Sequence, residues 1–578
     1  MSGDELRIGG WMVRPRLSRL EQEGRLVHLR PKSMDVLVFL ARRAGHVSTR
    51  AELLNAVWPG VSVAEEGLTR CIADIREAFA DAPHQPAFVE TVAKRGYRLI
   101  APVEWIAEPE ATPAPVGLVV LPFRDFSPGG GQEYFADGLT EQTIADLSQI
   151  RGLRVISRTS AMRLKTSTAG VAEVARELRV RYVLEGSLRR CGDDVRITVQ
   201  LIDAGKDDHL WAQTYAGTVG DVLDIQESVA RAIVEALRLR LTEQEQRRLA
   251  RRPAPDFATF DCYLRARAAI NEFTLGGVER AIVALERGLE TVGSSSALLA
   301  GLGFARFQRA NVIPRGDEDL VAARRQAEAA LQLDPDSAQA YLVLGLVLMS
   351  EGRQQECIRY LKRALTLAPA EPDALWWLAM AYANYAGRCE AALPLAERLA
   401  EIDPLNPLAL AVTGVVHFCG GRFGGAVEVF RRAFPQLRLP IERGWLGVAL
   451  AYAGQDEEAL AVLEPVAVFA GCDAWTSFSV LLRHALRGER DGIPEVLTPD
   501  FTALVRSGAH YSWQVASLLA RLDEHDAAFG WLENAVGRGF VNYPLLRYHD
   551  PFLAALRTDP RFDRLMQRVK REWEAFEV

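Results

Sequence analysis

The sequence predicts a multidomain protein of mixed α/β and all-α class, with an amino-terminal module of helices and a hairpin over residues 1–104, a middle α/β domain over 116–250 and a carboxy-terminal α-solenoid over 255–578. Three observations predict it. Apolar residues recur at helical spacing and then alternate around a short turn in the first hundred residues. Strand-like and helix-like segments alternate between 116 and 241. Small residues and prolines then repeat every 34 or 35 residues. A chain of 578 residues, 49% hydrophobic, can build several cores, and three or four domains of about 150 residues are expected.

In the first module, Leu6 to Leu29 alternates apolar and polar residues around Gly9-Gly10, Pro15 and Gly24, as short antiparallel strands do. Pro31 to Ala44 predicts a helix with Met34, Leu37, Val38, Leu40 and Ala41 inward. Thr49 to Trp58 predicts a shorter one, capped by Ser48 or Thr49 with Glu52 in its first turn, and Pro59-Gly60 ends it. In the third helix Leu68, Ile72, Ile75 and Phe79 share one face, with Ser62 and Glu65 spaced as a capping box. The opposite face carries Glu66, Arg70, Ala73, Asp74 and Glu77, flanked by Thr69. Phe88 to Val92 and Tyr97 to Ile100 then read as a hairpin whose turn, Ala93-Lys94-Arg95-Gly96, holds two cations.

Three blocks, LRPKSMDVLVFLARRAGHVSTRAELLNAVWPGV, GLTRCIADIREAF and FVETVAKRGYRLIAPV, occur in that order, and residues 6–103 resemble the winged helix-turn-helix output domain of OmpR/PhoB-type transcription regulators. The resemblance implies that the helix from Gly67 to Phe79 enters the major groove of double-stranded DNA and that the 49–58 helix crosses the backbone. Lys94 and Arg95 would reach the minor groove or its phosphates. On that footing Thr69, Arg70, Ala73 and Asp74 are the candidate groove contacts, with Arg76 nearer the backbone. Arg70 can pair with guanine and Asp74 can accept from cytosine N4. Arg50 and Lys32 are further phosphate candidates. One such module covers a half-site, so a homodimer on repeated sites is expected. The module opens the sequence with no receiver domain before it, so control by an in-chain phosphoaspartate is not expected. Glu66, Asp74 and Glu77 on the same face motivate an alternative, a protein-interaction scaffold whose winged module no longer binds DNA.

Net charge is −7, while the first 105 residues hold fifteen Lys/Arg against thirteen Asp/Glu. A slightly basic module on an acidic body suits localised DNA contact. Seven dispersed cysteines without C-x-x-C spacing suggest reduced thiols, and no signal-like or membrane-length apolar run occurs, so a cytoplasmic, soluble protein is expected.

Residues 105–115, with Pro109, Pro113 and Pro115 among glutamates, read as an extended linker. Beyond it, GLVVLPF and LRVIS are strands, Tyr134 to Ile150 and Val171 to Leu178 helices, and Tyr182–Arg190, Val195–Asp203 and Leu210–Gly217 a meander. A helix over 222–241 closes the domain. The order LPFRDFS…YFADGLTEQTIADLS resembles the TolB amino-terminal and FlgO-like families. Gly129-Gly130-Gly131 lies between a strand and a helix but lacks GxxxxGK[ST], and a flexible turn is expected rather than a phosphate cradle.

From about residue 256 the pattern is helical. Pro335, Pro369 and Pro404 fall 34 and 35 residues apart. Gly345, Ala379, Gly414 and Gly447 keep phase in first helices, Gly352, Gly387, Gly421 and Gly454 in turns, and Cys357, Ala392, Ala426 and Ala459 in second helices. The pattern resembles tetratricopeptide repeats, which implies a concave groove for a protein or peptide partner. Trp376, Trp377, Tyr382, Tyr385, His417 and Phe418 lie on first helices as candidates to line it. DPFLAALRTDPRFDRLMQRV reads as a capping tail. Neither HExxH nor GxSxG nor a His/Cys pair at zinc spacing occurs, so no enzyme, catalytic residue, cofactor or metal is expected.

Overall fold

The computed structural model describes residues 6–15, 18–22, 25–58, 65–93, 95–105, 115–239, 241–249, 257–270, 274–310, 317–466 and 474–578. The expected cap at Ser62, the cation Lys94 and linker residues 106–114 lie outside the described residues. The chain forms two compact units, Met1–Ala114 and Pro115–Val578.

The first unit opens with strands β1 (Leu6–Ile8), β2 (Trp11–Arg14), β3 (Arg19–Gln22) and β4 (Arg25–His28). Helix α1 (Pro31–Arg42), strand β5 (Ser48–Thr49) and helices α2 (Arg50–Val57) and α3 (Glu65–Phe79) follow, then strands β6 (Val89–Val92), β7 (Gly96–Leu99) and β8 (Val103–Trp105). One antiparallel sheet runs β4-β3-β2-β1-β8 and a second β5-β7-β6. Trp105 pairs with Leu6, so the folded module reaches one residue into the segment read as linker. The core joins Leu37 and Leu40 of α1 to Leu68, Ile72 and Ile75 of α3, all at most 1% exposed. Phe79 stacks on Phe88 at 4.5 Å, fixing the end of α3 against the hairpin.

The second unit begins with strands β9 (Val116–Val120) and β10 (Arg124–Asp125), helix α4 (Glu133–Leu147), strand β11 (Leu153–Val155) and helices α5 (Arg158–Arg163) and α6 (Val171–Glu177). The meander β12 (Tyr182–Cys191), β13 (Asp194–Asp203) and β14 (Asp208–Thr218) and helix α7 (Val222–Ala236) complete it. The sheet order is β11-β9-β12-β13-β14, parallel through β12 and antiparallel beyond, with β10 on β12. Helix α8 (Glu243–Leu249) leads to α9 (Phe257–Ile270). The boundary expected near 255 is not a packing boundary. Phe260 and Leu264 of α9 are 0% and 2% exposed within the α/β core, and a Cβ on Gly138 of α4 would lie 2.5 Å from Leu264.

Helix pairs then stack as the 34–35-residue period requires: Ala338–Ser350 with Gln354–Leu367, Pro372–Met380 with Cys389–Ile402, Pro407–Cys419 with Phe423–Ala433, and Pro440–Tyr452 with Asp456–Leu463. The in-phase small residues let paired helices approach. A Cβ on Gly414 would sit 2.6 Å from the Phe430 ring. The α/β domain is fastened to these repeats by a buried carboxylate. Asp403 Oδ1 accepts from the Ser157 hydroxyl, from Ser160 Oγ at 2.7 Å and from the Ser160 amide at 3.1 Å.

The carboxy-terminal segment does not simply cover the last repeat. It runs back across the turns of earlier ones: the Val541 amide donates to the Tyr385 carbonyl at 2.9 Å, Asn542 Nδ2 donates to Ala383 and Asn384 carbonyls, and Arg388 donates to the Trp573 carbonyl at 2.5 Å. Residues on either side of the stretch read as a capping tail, 550–569, therefore brace the solenoid across its earlier turns. No helix among the described residues is long and apolar enough to cross a membrane. The six described cysteines are free thiols.

Candidate nucleic-acid interface

Helix α2 begins with a full capping box. Thr49 Oγ1 accepts from the Glu52 amide at 3.2 Å, and Glu52 Oε2 accepts from the Thr49 amide at 2.8 Å. The Thr49 amide, and then the Arg43 guanidinium at 2.9 Å, hold the Glu52 carboxyl down to about 2. At the other end of α2, Lys32 Nζ donates to the Val57 carbonyl at 2.8 Å and sits 5.8 Å from the Trp58 ring. Lys32 thus caps a helix C-terminus while half its side chain stays in solvent. Arg50 lies 5.9 Å from the Tyr97 ring, and β5 beside it pairs with β7, so Arg50 stands at the root of the hairpin.

On α3 the apolar stripe is buried, and Glu66, Thr69, Arg70, Ala73 and Glu77 are exposed. Two of the candidate contacts are committed elsewhere. The Asp74 carboxylate accepts from Ser33 Oγ of α1 at 2.8 Å, with Arg30 3.8 Å away, and only 20% of its side chain is exposed. One carboxylate oxygen is thereby engaged within the unit, and Asp74 here joins α3 to α1. Arg76 Nη2 donates to the Val89 carbonyl and to Thr91 Oγ1, both at 2.8 Å, and so ties α3 to β6. Neither role is visible in the local pattern, because the partners Ser33, Val89 and Thr91 lie 13 to 41 residues away.

The hairpin is held in the same manner. Asp81 accepts from the Ala87 and Val89 amides at 2.6 and 2.7 Å, and Arg98 pairs with Glu90 across β6 and β7 at 2.6 Å. Arg95 is exposed in the turn. Gly96, at φ +154, has the Ser48 carbonyl oxygen only 2.0 Å from where a Cβ would stand, so no side chain fits there. The structure thus brings Thr69, Arg70 and Ala73 into one exposed strip of α3, with Arg50 and Arg95 on the adjoining hairpin side.

Elsewhere, Gly129, Gly130 and Gly131 are all at positive φ with open space around them. The neighbouring Asp125 accepts from the Ser127 and Gln132 amides, and Asp137 pairs with Lys165 at 2.8 Å. Of the aromatic residues proposed for the groove, Trp376, Trp377 and Tyr385 line a cavity inside the solenoid, whereas Tyr382 and Phe418 are core. Among the described residues no cluster of His, Cys, Asp and Glu could hold a metal ion.

Comparison with known proteins agrees with this geometry. Residues 23–99 match the family model "Transcriptional regulatory protein, C terminal", residues 116–231 the "HilA/YgeH-like transcriptional regulator, second domain", and 318–372 and 385–436 tetratricopeptide repeats. A Rhizobium meliloti protein named "Putative adenylate cyclase 3" is 37% identical over 42% of this chain and 41% of its own length. The transcriptional activator CadC of Escherichia coli is 37% identical over 18% of this chain and 21% of its own. The chain thus spans about two fifths and one fifth of these two relatives. The transcriptional regulator HilA of Salmonella typhimurium is 25% identical over 66% of this chain and 68% of its own. The chain carries an OmpR/PhoB-type winged helix of the kind used in DNA-binding transcription regulation, followed by a HilA-like second domain and tetratricopeptide repeats.

Proposed function

We propose that the chain is a cytoplasmic DNA-binding transcription regulator in which α3 reads promoter DNA and the α/β and repeat domains sense a ligand or bind a partner protein. The exposed strip Thr69, Arg70 and Ala73 carries this reading, because it leaves α3 polar toward solvent while its other face is locked into the core. Arg70 pairs with guanine, and Arg95, Arg50 and the neighbouring Lys94 and Lys32 meet phosphates. Asp74 and Arg76 act indirectly, by fixing the pitch of α3 against α1 and β6. Relatives named as transcriptional activators and regulators support this reading. The TolB- and FlgO-like character of the middle domain, and a homodimer on repeated half-sites, belong to the same proposal.

Footprinting and binding titrations at two salt concentrations test it. Lys94→Ala with Arg95→Ala should weaken binding to every sequence and flatten the salt slope. The exposed Glu66 and Glu77 on the reading face favour the second reading, a scaffold whose winged module no longer binds DNA. Absence of salt-sensitive retardation of duplex DNA by the compact unit 1–114 at micromolar concentration would select the scaffold.

A further inference from the structure

The inner face of the solenoid holds a partly open chamber of about 580 Å³. Its wall is contributed largely by successive first helices and, on another side, by residues 503–511 of the segment Pro499–Arg521, which does not follow the repeat pattern. That size falls within the range of small-molecule sites, about 300–1,000 Å³. Trp376, Trp377, Trp445 and Trp475 supply much of the surface, with Trp445 and Trp475 ring centroids 5.2 Å apart. No aspartate or glutamate occurs among its described lining residues, whereas two exposed arginines, Arg506 and Arg538, do.

Among the described residues, one polar group in the wall has no hydrogen-bond partner. The first helix of the second clear repeat passes into a π turn at Ala381–Tyr385, which carries Asn384. The Asn384 amide oxygen faces the Cys419 thiol at 3.9 Å, and its Nδ2 donates to His510 Nδ1 at 2.7 Å. His510 is 7% exposed, and burial lowers its ring to about 3, so it stays neutral with its proton on Nε2. That Nε2 meets no hydrogen-bond partner among the described residues, and a buried donor with nothing to accept from it is a cost to the fold. A ligand oxygen would remove that cost.

From the aromatic wall, the orphan donor and the two arginines, we infer that the chamber binds a small amphipathic organic acid. Its apolar or aromatic body lies among the tryptophans, an oxygen accepts from His510 Nε2, and its carboxylate meets Arg506 and Arg538. The inference rests on the ligand-sensing part of the proposed function and names the ligand class.

Tryptophan fluorescence and calorimetry on the full chain test it, with 4-phenylbutyrate and dodecanoate as probes and the amine and alcohol of each skeleton as controls. Saturable binding of an acid, at least tenfold tighter than the matching alcohol and absent for the amine, is expected. Arg506 also stacks over the Trp531 ring at 4.4 Å and Arg538 donates to the Ser507 carbonyl at 3.0 Å, so Arg506→Ala with Arg538→Ala, and separately His510→Leu, should each weaken it about tenfold while unfolding in urea stays cooperative. No saturable response to either acid, equal binding of amine and acid, or unchanged affinity in the arginine double variant would overturn it. So would tight binding of an apolar peptide with no response to the acids, which would give the chamber to a protein segment. DNA retardation measured on the same samples separates the two readings. Acid binding that leaves DNA affinity unchanged sustains the chamber and removes the sensing role. Loss of acid binding with DNA binding intact removes the chamber alone.

Discussion

Helix α3 and the repeat helix Ala338–Ser350 are similar in length but solve opposite problems. In α3 the apolar residues keep to one stripe and the remaining face is left to solvent. In Ala338–Ser350 Ala340 and the whole run Leu342 to Met349 are buried, because the helix is packed by its own pair and by the neighbouring repeats. A helix of the first kind offers polar side chains to a large polar partner such as duplex DNA. A helix of the second kind can serve only what enters the protein. The two regions therefore predict different sensitivities: the winged unit should fail through backbone fit at its hairpin, the repeat body through loss of internal polar ties.

The sharpest break is Gly96→Ala. With the Ser48 carbonyl oxygen 2.0 Å from the new Cβ, β5 and β7 must separate, and the hairpin root with them. A loss of about 3 kcal/mol or more in the winged unit is expected, together with DNA binding. Hydrogen exchange should rise across residues 48–99 and stay unchanged beyond 115. The counterpart in the body is Asp403→Ala. It leaves the Ser157 and Ser160 hydroxyls and the Ser160 amide without their common acceptor, for an expected loss of about 3 kcal/mol. Exchange should rise at 153–164 and 399–410, with DNA retardation intact. If either variant loosened both units, the separation drawn here would fail.

These two sites also mark how far the sequence could be read. The stripe Leu68, Ile72, Ile75 and Phe79 and the 34–35-residue period announce the winged unit and the solenoid and their order, because both are local patterns with one physical cause. Gly96 was legible as a turn residue, but not its approach to Ser48. Asp403 draws notice in the sequence only as the neighbour of the in-phase Pro404, whereas its carboxylate serves serines 243 and 246 positions earlier. The candidate site divided the same way. Exposure of Thr69, Arg70 and Ala73 followed from periodicity, while the engagement of Asp74 by Ser33 depended on how α1 crosses α3. In the solenoid, three of the chamber aromatics were named from the sequence, but Trp445, Trp475, His510 and the arginines were not. Helices that are apolar all round give no sign of which side faces a cavity.

A smaller effect sharpens the functional half of the comparison. Arg70→Ala should cost about 2 kcal/mol, roughly thirtyfold, on the preferred sequence and little on random DNA. Circular dichroism should be unchanged, since the side chain is exposed. Equal loss on both DNAs would reject base reading by Arg70 and leave it a phosphate contact.

The smallest effect separates two glycines that the repeat places in equivalent turns. Gly421 and Gly454 have nearly the same backbone, φ +75 and +76, so alanine at either pays for a left-handed conformation, about 1 kcal/mol. Their surroundings differ. Nothing lies within 4 Å of a Cβ on Gly454, whereas on Gly421 it would sit 2.6 Å from His549 Nδ1 in the returning carboxy-terminal segment. That segment is anchored close by: Asp550 Oδ2 accepts from Trp513 Nε1 at 2.9 Å and from the Tyr452 hydroxyl at 3.2 Å. The His549 ring cannot shift far without disturbing a buried carboxylate. Urea unfolding should therefore place Gly421→Ala about 1 kcal/mol below Gly454→Ala. Faster exchange at 540–552 should accompany only the former. Equal stabilities would mean that the segment lies loosely on the turns, and the repeat period alone would then account for glycine at both positions.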